Sequence, residues 1–190
     1  MERKTDRRVL RSRAALMEAA VRLVSERGVS PLSVTDLAEA ANVSRQLVYL
    51  QFGDRDALLV AAAANLVERE LLPDISNPRE PHRERLVAMG QHFASHRSFY
   101  RAMLIGPCAY PMTLTLNDLF SSLISRAGMR DAFGDLDDTT ARDITAMIVG
   151  GTASIVNNWL IDSNSRLDAE DLANRLLHVS ATIIRGYFPA

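Results

Sequence analysis

The chain has 190 residues, of which 47% are hydrophobic, so it is long enough to bury a core in one domain or in two small ones. Its 22 basic and 23 acidic side chains give a net charge of −1, which shows no overall bias towards nucleic acid. The single cysteine, Cys108, excludes an internal disulfide and suits a reducing cytoplasm, where we expect the protein. The longest apolar run, Ala57 to Ala64, is too short to span a bilayer, so we expect no membrane partner.

The N-terminal segment is basic and leads into a long helix. Six cationic and two acidic side chains in the first 13 residues give this arm a local charge of +4. Such an arm can reach phosphates or the minor groove of DNA, although a solvated, frayed terminus has the same composition. Apolar residues at helical spacing predict an amphipathic helix from Arg7 to Arg27, closed by Gly28.

The segment from Ser33 to Phe52 predicts two short helices joined by a tight turn. Ser33 is a good N-cap for the first helix, and Asp36 three residues later completes a capping box. Asn42 tolerates the left-handed backbone conformation that ends many helices, and Ser44 caps the second helix. Two helices joined in this way are the arrangement of a helix-turn-helix DNA reader, whose second helix lies in the major groove.

The second of these helices has an inward and an outward face. Val48 and Phe52 point inward at positions i and i+4. The outward face carries Arg45, Gln46, Leu47, Tyr49 and Gln51. Arginine and glutamine can contact guanine and adenine edges, leucine can meet a thymine methyl group, and tyrosine can bond a phosphate. The alternative is a solvated face on an ordinary helical hairpin.

Residues between positions 7 and about 60 carry a family pattern. They are Gly28, then Ser33-Val34-Thr35-Asp36-Leu37-Ala38, then Asn42-Val43-Ser44, then Tyr49, Phe52 and Asp54-Arg55. The segment resembles the DNA-binding domain of the tetracycline-repressor (TetR) family. Asn42 stands where glycine is usual in that family, and Arg55 where lysine is usual. Leu47 and Leu50 lie where polar or larger aromatic residues often touch DNA.

The resemblance implies a set of DNA contacts. Thr35, Ser44, Arg45, Gln46 and Tyr49 fall on DNA-contact positions of the family, and Arg55 falls on a phosphate-contact position. Arg55 also lies in the first turn of its helix, where free amides attract a phosphate. Together with the outward face, the predicted contact set is Thr35, Ser44, Arg45, Gln46, Leu47, Tyr49, Gln51 and Arg55.

The rest of the chain is helical in pattern, so we predict an all-α fold of about nine helices. Beyond the helix-turn-helix, helices are predicted at about 54–72, 82–97, 98–105, 113–128, 139–162 and 168–187. The breaks fall at Pro73–Pro78, Gly106-Pro107, Pro111, Gly128 and Asp162–Ser165. We predict a DNA-binding domain over residues 1–53 and a ligand-binding and dimerisation domain over 54–190, in which the helix from Asp54 can transmit a tilt.

The last two predicted helices have the pattern of an interface. Apolar stripes run along both, and the first contains Gly150 and Gly151, which each cost about 1 kcal/mol relative to alanine inside a helix. Close approach of another helix can offset that cost. In the TetR family these helices form a four-helix bundle across a dimer. The predicted interface residues are Ile148, Gly151, Ile155, Leu176, Val179 and Ile183. An intramolecular core without a partner is the alternative.

The middle helices supply apolar and adaptable side chains that suit a ligand pocket. The predicted lining residues are Met89, Phe93, His96, Tyr100, Met103, Tyr110, Phe120, Asn158 and Trp159. Such a stripe is also compatible with ordinary core. We expect an apolar or amphipathic effector.

Two histidines raise the alternative of a metal site. His92 and His96 lie at i and i+4 on one helix face, and Cys108 could add a ligand. No HExxH, CxxC or acidic triplet accompanies them, and Arg97 and Arg101 nearby would repel a cation. We therefore expect neither a metal nor another cofactor.

These observations favour a ligand-responsive DNA-binding transcriptional regulator, a repressor and not an enzyme. The predicted partners are a palindromic double-stranded DNA operator, a second copy of the chain and a small-molecule effector that releases the DNA. Two alternatives stay open. One is a helical metal-dependent enzyme that uses His92 and His96, and the other is a nonspecific architectural DNA binder.

Overall fold

A computed structural model describes residues 2–29, 32–77, 80–124, 129–130, 133–162 and 167–187. All regular secondary structure in these residues is helical, so the predicted all-α fold is confirmed. The chain forms two compact units: residues 1–67 with 96–112, and residues 68–95 with 113–190. The predicted division of the chain into two domains between residues 53 and 54 stays a prediction.

Ten helices lie within the described ranges. They are α1 (Glu2–Arg27), α2 (Val34–Ala40), α3 (Arg45–Phe52), α4 (Arg55–Glu70), α5 (Leu72–Ile75), α6 (His82–Ser95), α7 (Arg97–Leu104), α8 (Ala109–Ser121), α9 (Asp138–Asp162) and α10 (Ala169–Tyr187).

The core of the first unit is built by the apolar faces of its N-terminal helices. The buried side chains include Leu16, Ala20, Leu23 and Val24 of α1, Leu37 and Ala38 of α2, Val48 of α3, and Leu58, Leu59 and Ala62 of α4. Helix α1 contacts α2, and α2 contacts α3. The helical spacing that predicts the apolar face of α1 therefore corresponds to the face that the structure buries.

Helix α7 completes the core of the first unit by packing on α1. Phe99 and Tyr100 are buried with their rings edge to face, 5.2 Å between centroids. After α7 the chain turns at Gly106, where a Cβ atom would lie 3.0 Å from the Ala102 carbonyl oxygen and 3.3 Å from the Cβ of Val29. Glycine therefore allows this turn to approach the segment that follows α1.

In the second unit, α6 and α10 pack closely because a glycine lies at their contact. A Cβ atom on Gly90 would lie 3.0 Å from the Cβ and 3.1 Å from the Cα of Ala169. An ion pair between Arg83 and Glu170 joins the same two helices. Leu172, Ala173 and Leu176 of α10 and Val149, Val156 and Leu160 of α9 are buried in this unit.

Several predicted boundaries are wrong: α1 begins at Glu2 rather than at Arg7, and α5 overlaps the break predicted at Pro73–Pro78. Proline chemistry explains the error at Pro111. The sequence predicts a break at Pro111 and a helix from residue 113, whereas α8 begins at Ala109 and ends at Ser121. Proline is tolerated in a first helical turn because the amide that it lacks has no partner there. The same tolerance places Pro73 at the start of the short α5. The predicted break at Gly128 lies outside the described residues.

Helix α9 is exceptional in its apolar exposure. By length and composition alone, it is long and apolar enough to cross a membrane. The 18-residue stretch that meets this criterion has a mean hydropathy of 1.4, and 17% of that stretch is buried. Met147 and Ile148 are exposed on it, and Cβ atoms on Gly150 or Gly151 would meet nothing within 4 Å. This helix therefore presents an apolar surface that the described part of the chain leaves uncovered.

The close approach of α6 and α10 predicts a large effect of one methyl group. Gly90→Ala should lower the free energy of unfolding by about 1–3 kcal/mol, because the backbone of Ala169 cannot move aside as a flexible side chain would. Denaturant unfolding measures this change. Gln91→Ala, at the exposed neighbouring position, is the control and should change stability by about 0.5 kcal/mol or less. A Gly90→Ala protein as stable as the parent would contradict the packing.

Candidate nucleic-acid interface

The first helix of the helix-turn-helix begins at a capping box, as predicted. The backbone amide of Asp36 donates to the Ser33 hydroxyl at 3.1 Å, and the amide of Ser33 donates to the Asp36 carboxylate at 2.8 Å. The Ser33 hydroxyl also donates to this carboxylate. These hydrogen bonds from Ser33, followed by the nearby charge of Arg27, lower the pKa of Asp36 below its ordinary value. The carboxylate therefore stays ionised at neutral pH.

The turn between α2 and α3 has the backbone conformation that the sequence predicts. Asn42 is left-handed with φ +53°, and the amide of Val43 donates to the Ala38 carbonyl at 2.9 Å. Ser44 then caps α3, since its hydroxyl accepts from the Leu47 amide at 3.3 Å. The turn is thereby closed at both ends, which fixes the direction in which α3 leaves it.

The outward face of α3 presents three of the predicted contact residues. Arg45, Gln46 and Tyr49 are exposed, while Val48 on the opposite side is fully buried. Leu50 is 80% exposed, the highest value among the large apolar side chains of the described residues. A leucine exposed beside Tyr49 on a helix that carries arginine and glutamine offers an apolar contact for a thymine methyl group. The exposed N-cap Ser44 and the half-buried Thr35 lie at the starts of the two helices.

Two of the predicted contact residues are less available than the sequence indicates. Leu47 is half-buried. The side-chain nitrogen and oxygen of Gln51 are both buried and have no hydrogen-bond partner among the described residues. The prediction that the Gln51 amide lies on the outward face is therefore wrong. The Gln51 side-chain amide is therefore turned away from solvent.

Arg55 makes internal contacts where the resemblance implies a phosphate contact. Its guanidinium donates to the Leu32 carbonyl at 2.9 Å and pairs with the Asp56 carboxylate at 2.7 Å. Its side chain is 27% exposed. Asp54 caps the same helix by accepting from the Ala57 amide at 2.7 Å. Arg55 therefore ties the segment before α2 to the start of α4.

The lone cysteine lies in the same part of the first unit. Cys108 is fully buried, and burial, followed by the negative charge of Asp56, raises the pKa of its thiol to about 11. A buried neutral thiol behaves as a small apolar side chain and is a poor metal ligand. Cys108 thus belongs to the core rather than to a metal site.

Arg13 of α1 contacts the end of α3. One guanidinium nitrogen donates to the Gln51 carbonyl at 2.9 Å, and the guanidinium carbon lies 4.2 Å from the centroid of the Phe52 ring. The sequence places Arg13 in a basic arm, where no local pattern distinguishes it from the other cationic residues. The interaction joins residues 38 positions apart, so only the folded structure reveals it.

The predicted pocket residues are divided between the two units and differ in exposure. In the first unit, Tyr100 and Met103 are core residues of α7, whereas Tyr110 is 74% exposed. In the second unit, Met89 and Phe93 are buried, and the Phe93 and Phe120 rings lie 6.5 Å apart. His96 and Trp159 are half-buried and Asn158 is exposed. Tyr110 is thus largely exposed to solvent, and all nine positions stay predictions.

The predicted dimer residues also divide by exposure. Ile148, Gly151 and Ile183 are exposed, and Ile155 and Val179 are half-buried. Leu176 is 4% exposed, since it packs within its own unit. It is therefore wrong as an interface residue whose side chain is available to a partner. Helical spacing cannot assign a stripe to the intramolecular core or to an interface, because both require apolar residues at the same period.

The histidines occupy different environments. His92 is buried in the second unit with its ring 5.4 Å from that of Phe93, and the Glu70 carboxylate and His92 imidazole carry possible ligand atoms within 4.8 Å of each other. His96, in the first unit, lies with its ring 6.5 Å from that of Tyr100.

Comparison with known proteins identifies the N-terminal segment. Residues 16–62 match the family profile described as bacterial regulatory proteins, tetR family. The chain is 18% identical to the uncharacterized HTH-type transcriptional regulator YerO of Bacillus subtilis, over 90% of this chain and 64% of that one. It is 33% identical to the HTH-type transcriptional regulator AcrR of Shigella flexneri, over 43% of this chain and 40% of that one. The chain thus spans less than two thirds of the length of both relatives.

A solved structure shows the same fold over most of the chain. Thermus thermophilus FadR, a TetR-family transcriptional repressor in complex with lauroyl-CoA, has a TM-score of 0.63 at 19% identity. The match covers 88% of this chain and 92% of that one. The likeness extends well beyond residues 16–62, so the fold as well as the N-terminal segment is shared.

The environment of Cys108 predicts a pH-dependent reactivity. At about pH 8, a pKa of about 11 leaves roughly one thiol in a thousand ionised, so a disulfide reagent should react slowly with the folded protein. The rate should rise about tenfold per pH unit below the pKa. Absorbance of the released thiolate measures it. The same chain in denaturant is the control and should react at once; equal rates in the two states would contradict the burial.

Proposed function

We propose that the chain is a cytoplasmic, ligand-responsive repressor of the tetR family of bacterial regulatory proteins, whose profile its residues 16–62 match. It would bind a palindromic DNA operator as a dimer and release it when an effector binds. The observation that carries the proposal is the outward face of α3, where Arg45, Gln46 and Tyr49 stand exposed on a helix whose two ends are fixed.

The chemistry of α3 suits direct reading of bases. Arg45 can donate two hydrogen bonds to guanine, and Gln46 can both donate to and accept from adenine. Tyr49 can bond a phosphate, and Leu50 can meet a thymine methyl group. Thr35 and Ser44, near the N-termini of α2 and α3, suit backbone phosphates. We propose Arg55 as a residue that holds the start of α4, with a phosphate contact as its second role.

Dimerisation supplies the second half-site. One recognition helix reads only a few base pairs, whereas a twofold dimer places two such helices about 34–36 Å apart, one turn of DNA. We propose that α9 and α10 form the interface, because Met147, Ile148 and Ile183 are exposed apolar side chains on them. Gly150 and Gly151 leave open space where a partner helix can approach closely.

The exposed apolar surface of α9 suits a dimer interface better than a membrane span. Charged residues of α9, Arg142, Asp143 and Asp162 among them, lie near its ends, so its buried residues rather than its charges argue against a membrane span. A second subunit would cover only one face of α9. Its apolar exposure together with its buried residues Val149, Val156 and Leu160 suits a helix that packs on both its own chain and a partner.

The effector proposal rests on the apolar lining of the second unit and on one relative. Met89, Phe93 and Phe120 supply aromatic and adaptable side chains there. FadR of Thermus thermophilus binds lauroyl-CoA, which is a long apolar chain on a polar carrier. We propose an apolar or amphipathic effector of this kind. It would weaken DNA binding by its greater affinity for the conformer with the wrong spacing of recognition helices.

A selection experiment tests the proposed function as a whole. Duplexes bound by the purified protein are selected from a random pool, and a panel of fatty acids, acyl-CoA thioesters and hydrophobic amines is then screened for release. We expect a palindromic consensus and at least one releasing compound. Recovery of duplexes without a consensus would instead support the nonspecific architectural binder. Placing the operator upstream of a reporter gene then decides between repression and activation.

Arg45→Ala predicts a loss of sequence discrimination. The variant should bind the selected operator more weakly by about 1–3 kcal/mol, while its affinity for a random duplex changes little. Titration at one fixed salt concentration measures both. Arg22→Ala is the matched control, because Arg22 is an exposed arginine on α1 that pairs with Glu26. Unchanged operator binding by the Arg45 variant would exclude its role in reading.

Ile148→Asp predicts a monomer. A carboxylate buried at the proposed interface would raise the dimer dissociation constant by roughly a hundredfold or more. Sedimentation velocity at micromolar concentration measures the change. Ile105→Asp places the same charge on another exposed isoleucine, at the end of α7, and should leave the dimer intact. A dimeric Ile148 variant would move the interface elsewhere.

A further inference from the structure

We propose that Arg13 is a positioning residue that sets the orientation of the recognition helix for base reading. It deepens the proposed function, since a positioning role requires that α3 reads DNA. Composition places Arg13 among six cationic residues of an N-terminal arm, where a phosphate contact is the natural expectation. Its contacts within the chain assign it a different role.

Arg13 holds the last turn of α3 by two contacts at once. One guanidinium nitrogen donates a 2.9 Å hydrogen bond to the Gln51 carbonyl oxygen. The guanidinium carbon lies 4.2 Å from the centroid of the Phe52 ring, within the range of a cation–π contact. The planar guanidinium can stack on the ring and donate in its own plane, which a lysine ammonium cannot do.

The end of a helix is a favourable place for such a cation. The last carbonyl groups of a helix have no partner within it, and the aligned peptide dipoles leave partial negative charge there. Gln51 is one residue from the C-terminus of α3, which ends at Phe52 before Gly53 turns with φ +87°. Arg13 therefore supplies both a donor and a charge where α3 needs them.

The recognition helix has few other anchors. It is eight residues long, and helices shorter than about 12 residues are marginal without tertiary contacts. Val48 is its only fully buried side chain among those described, and the buried amide of Gln51 has no described partner that could hold it. Ser44 fixes the N-terminal end by its cap. Arg13 fixes the opposite end, so the two together define the direction of the helix axis.

The position of Arg13 on α1 gives the contact a rigid base. Arg13 precedes Leu16 and Met17, both buried in the core of the first unit. By contrast, Arg11 is exposed, and its guanidinium donates to the Arg7 carbonyl of its own helix at 3.4 Å. Two arginines of one helix thus differ in a way that a substitution series can use.

The test compares three single variants of the full chain. Arg13→Met keeps the length of the side chain but removes the guanidinium, and Arg13→Lys keeps the charge but not the plane. Arg11→Met removes the same charge from the exposed position. Two measurements are made on each: amide hydrogen exchange of residues 45–53 without DNA, and affinity for the selected operator and a random duplex at one salt concentration.

We expect Arg13→Met to increase exchange in the last turn of α3 and to lower operator affinity roughly tenfold, the effect of losing one base contact. Its affinity for random duplex should change much less. Arg13→Lys should show the same pattern to a smaller degree. This milder variant carries the test if the methionine variant folds poorly. Arg11→Met should leave exchange unchanged and weaken both duplexes by the same factor, as a phosphate contact or general charge would.

Two results would overturn the proposal. If Arg13→Met leaves exchange of α3 unchanged and weakens both duplexes equally, Arg13 is a phosphate contact. If exchange rises but operator affinity is unchanged, the contact is structural and does not position the reader. A parent protein that prefers no sequence would refute the proposed function instead, and the exchange comparison would still decide whether Arg13 holds α3.

Discussion

The turn between α2 and α3 is the constraint on which the proposed DNA-reading face of α3 depends. Asn42 is the only described non-glycine residue with positive φ, and serine caps fix the starts of α2 and α3. Because Arg45 and Tyr49 are carried by one short helix, a small change in this turn would move both side chains together. Backbone geometry, rather than any single contact, therefore determines what the face can reach.

Around this turn, several charged side chains connect different elements of the fold. Arg55 holds the Leu32 carbonyl, Arg27 lies 3.8 Å from Asp36, and Arg13 holds the end of α3. Arg13 and Arg55 reach elements that are distant in sequence, and Arg27 connects the end of α1 to the start of α2.

The second unit follows a different physical rule, in which small residues permit close packing. Gly90 lets α6 approach α10 within the unit, and there the glycine is covered by Ala169. Gly150 and Gly151 of α9 have the same lack of a side chain but no covering atoms in the described chain. The contrast supports the proposal that the uncovered pair is a surface for a partner.

The local geometry of the helix-turn-helix could be predicted from the residues that form it. Ser33, Asn42 and Ser44 act through hydrogen bonds or backbone preferences within a few residues, so their roles as caps and turn could be predicted and are confirmed. Which side chains are exposed depends instead on how the helices pack together. The tertiary structure turned Gln51 inward and buried Leu176, and it brought Arg13 to α3 across 38 residues. Such contacts depend on how whole helices pack, which periodicity cannot specify because a core, a pocket and an interface require the same apolar spacing.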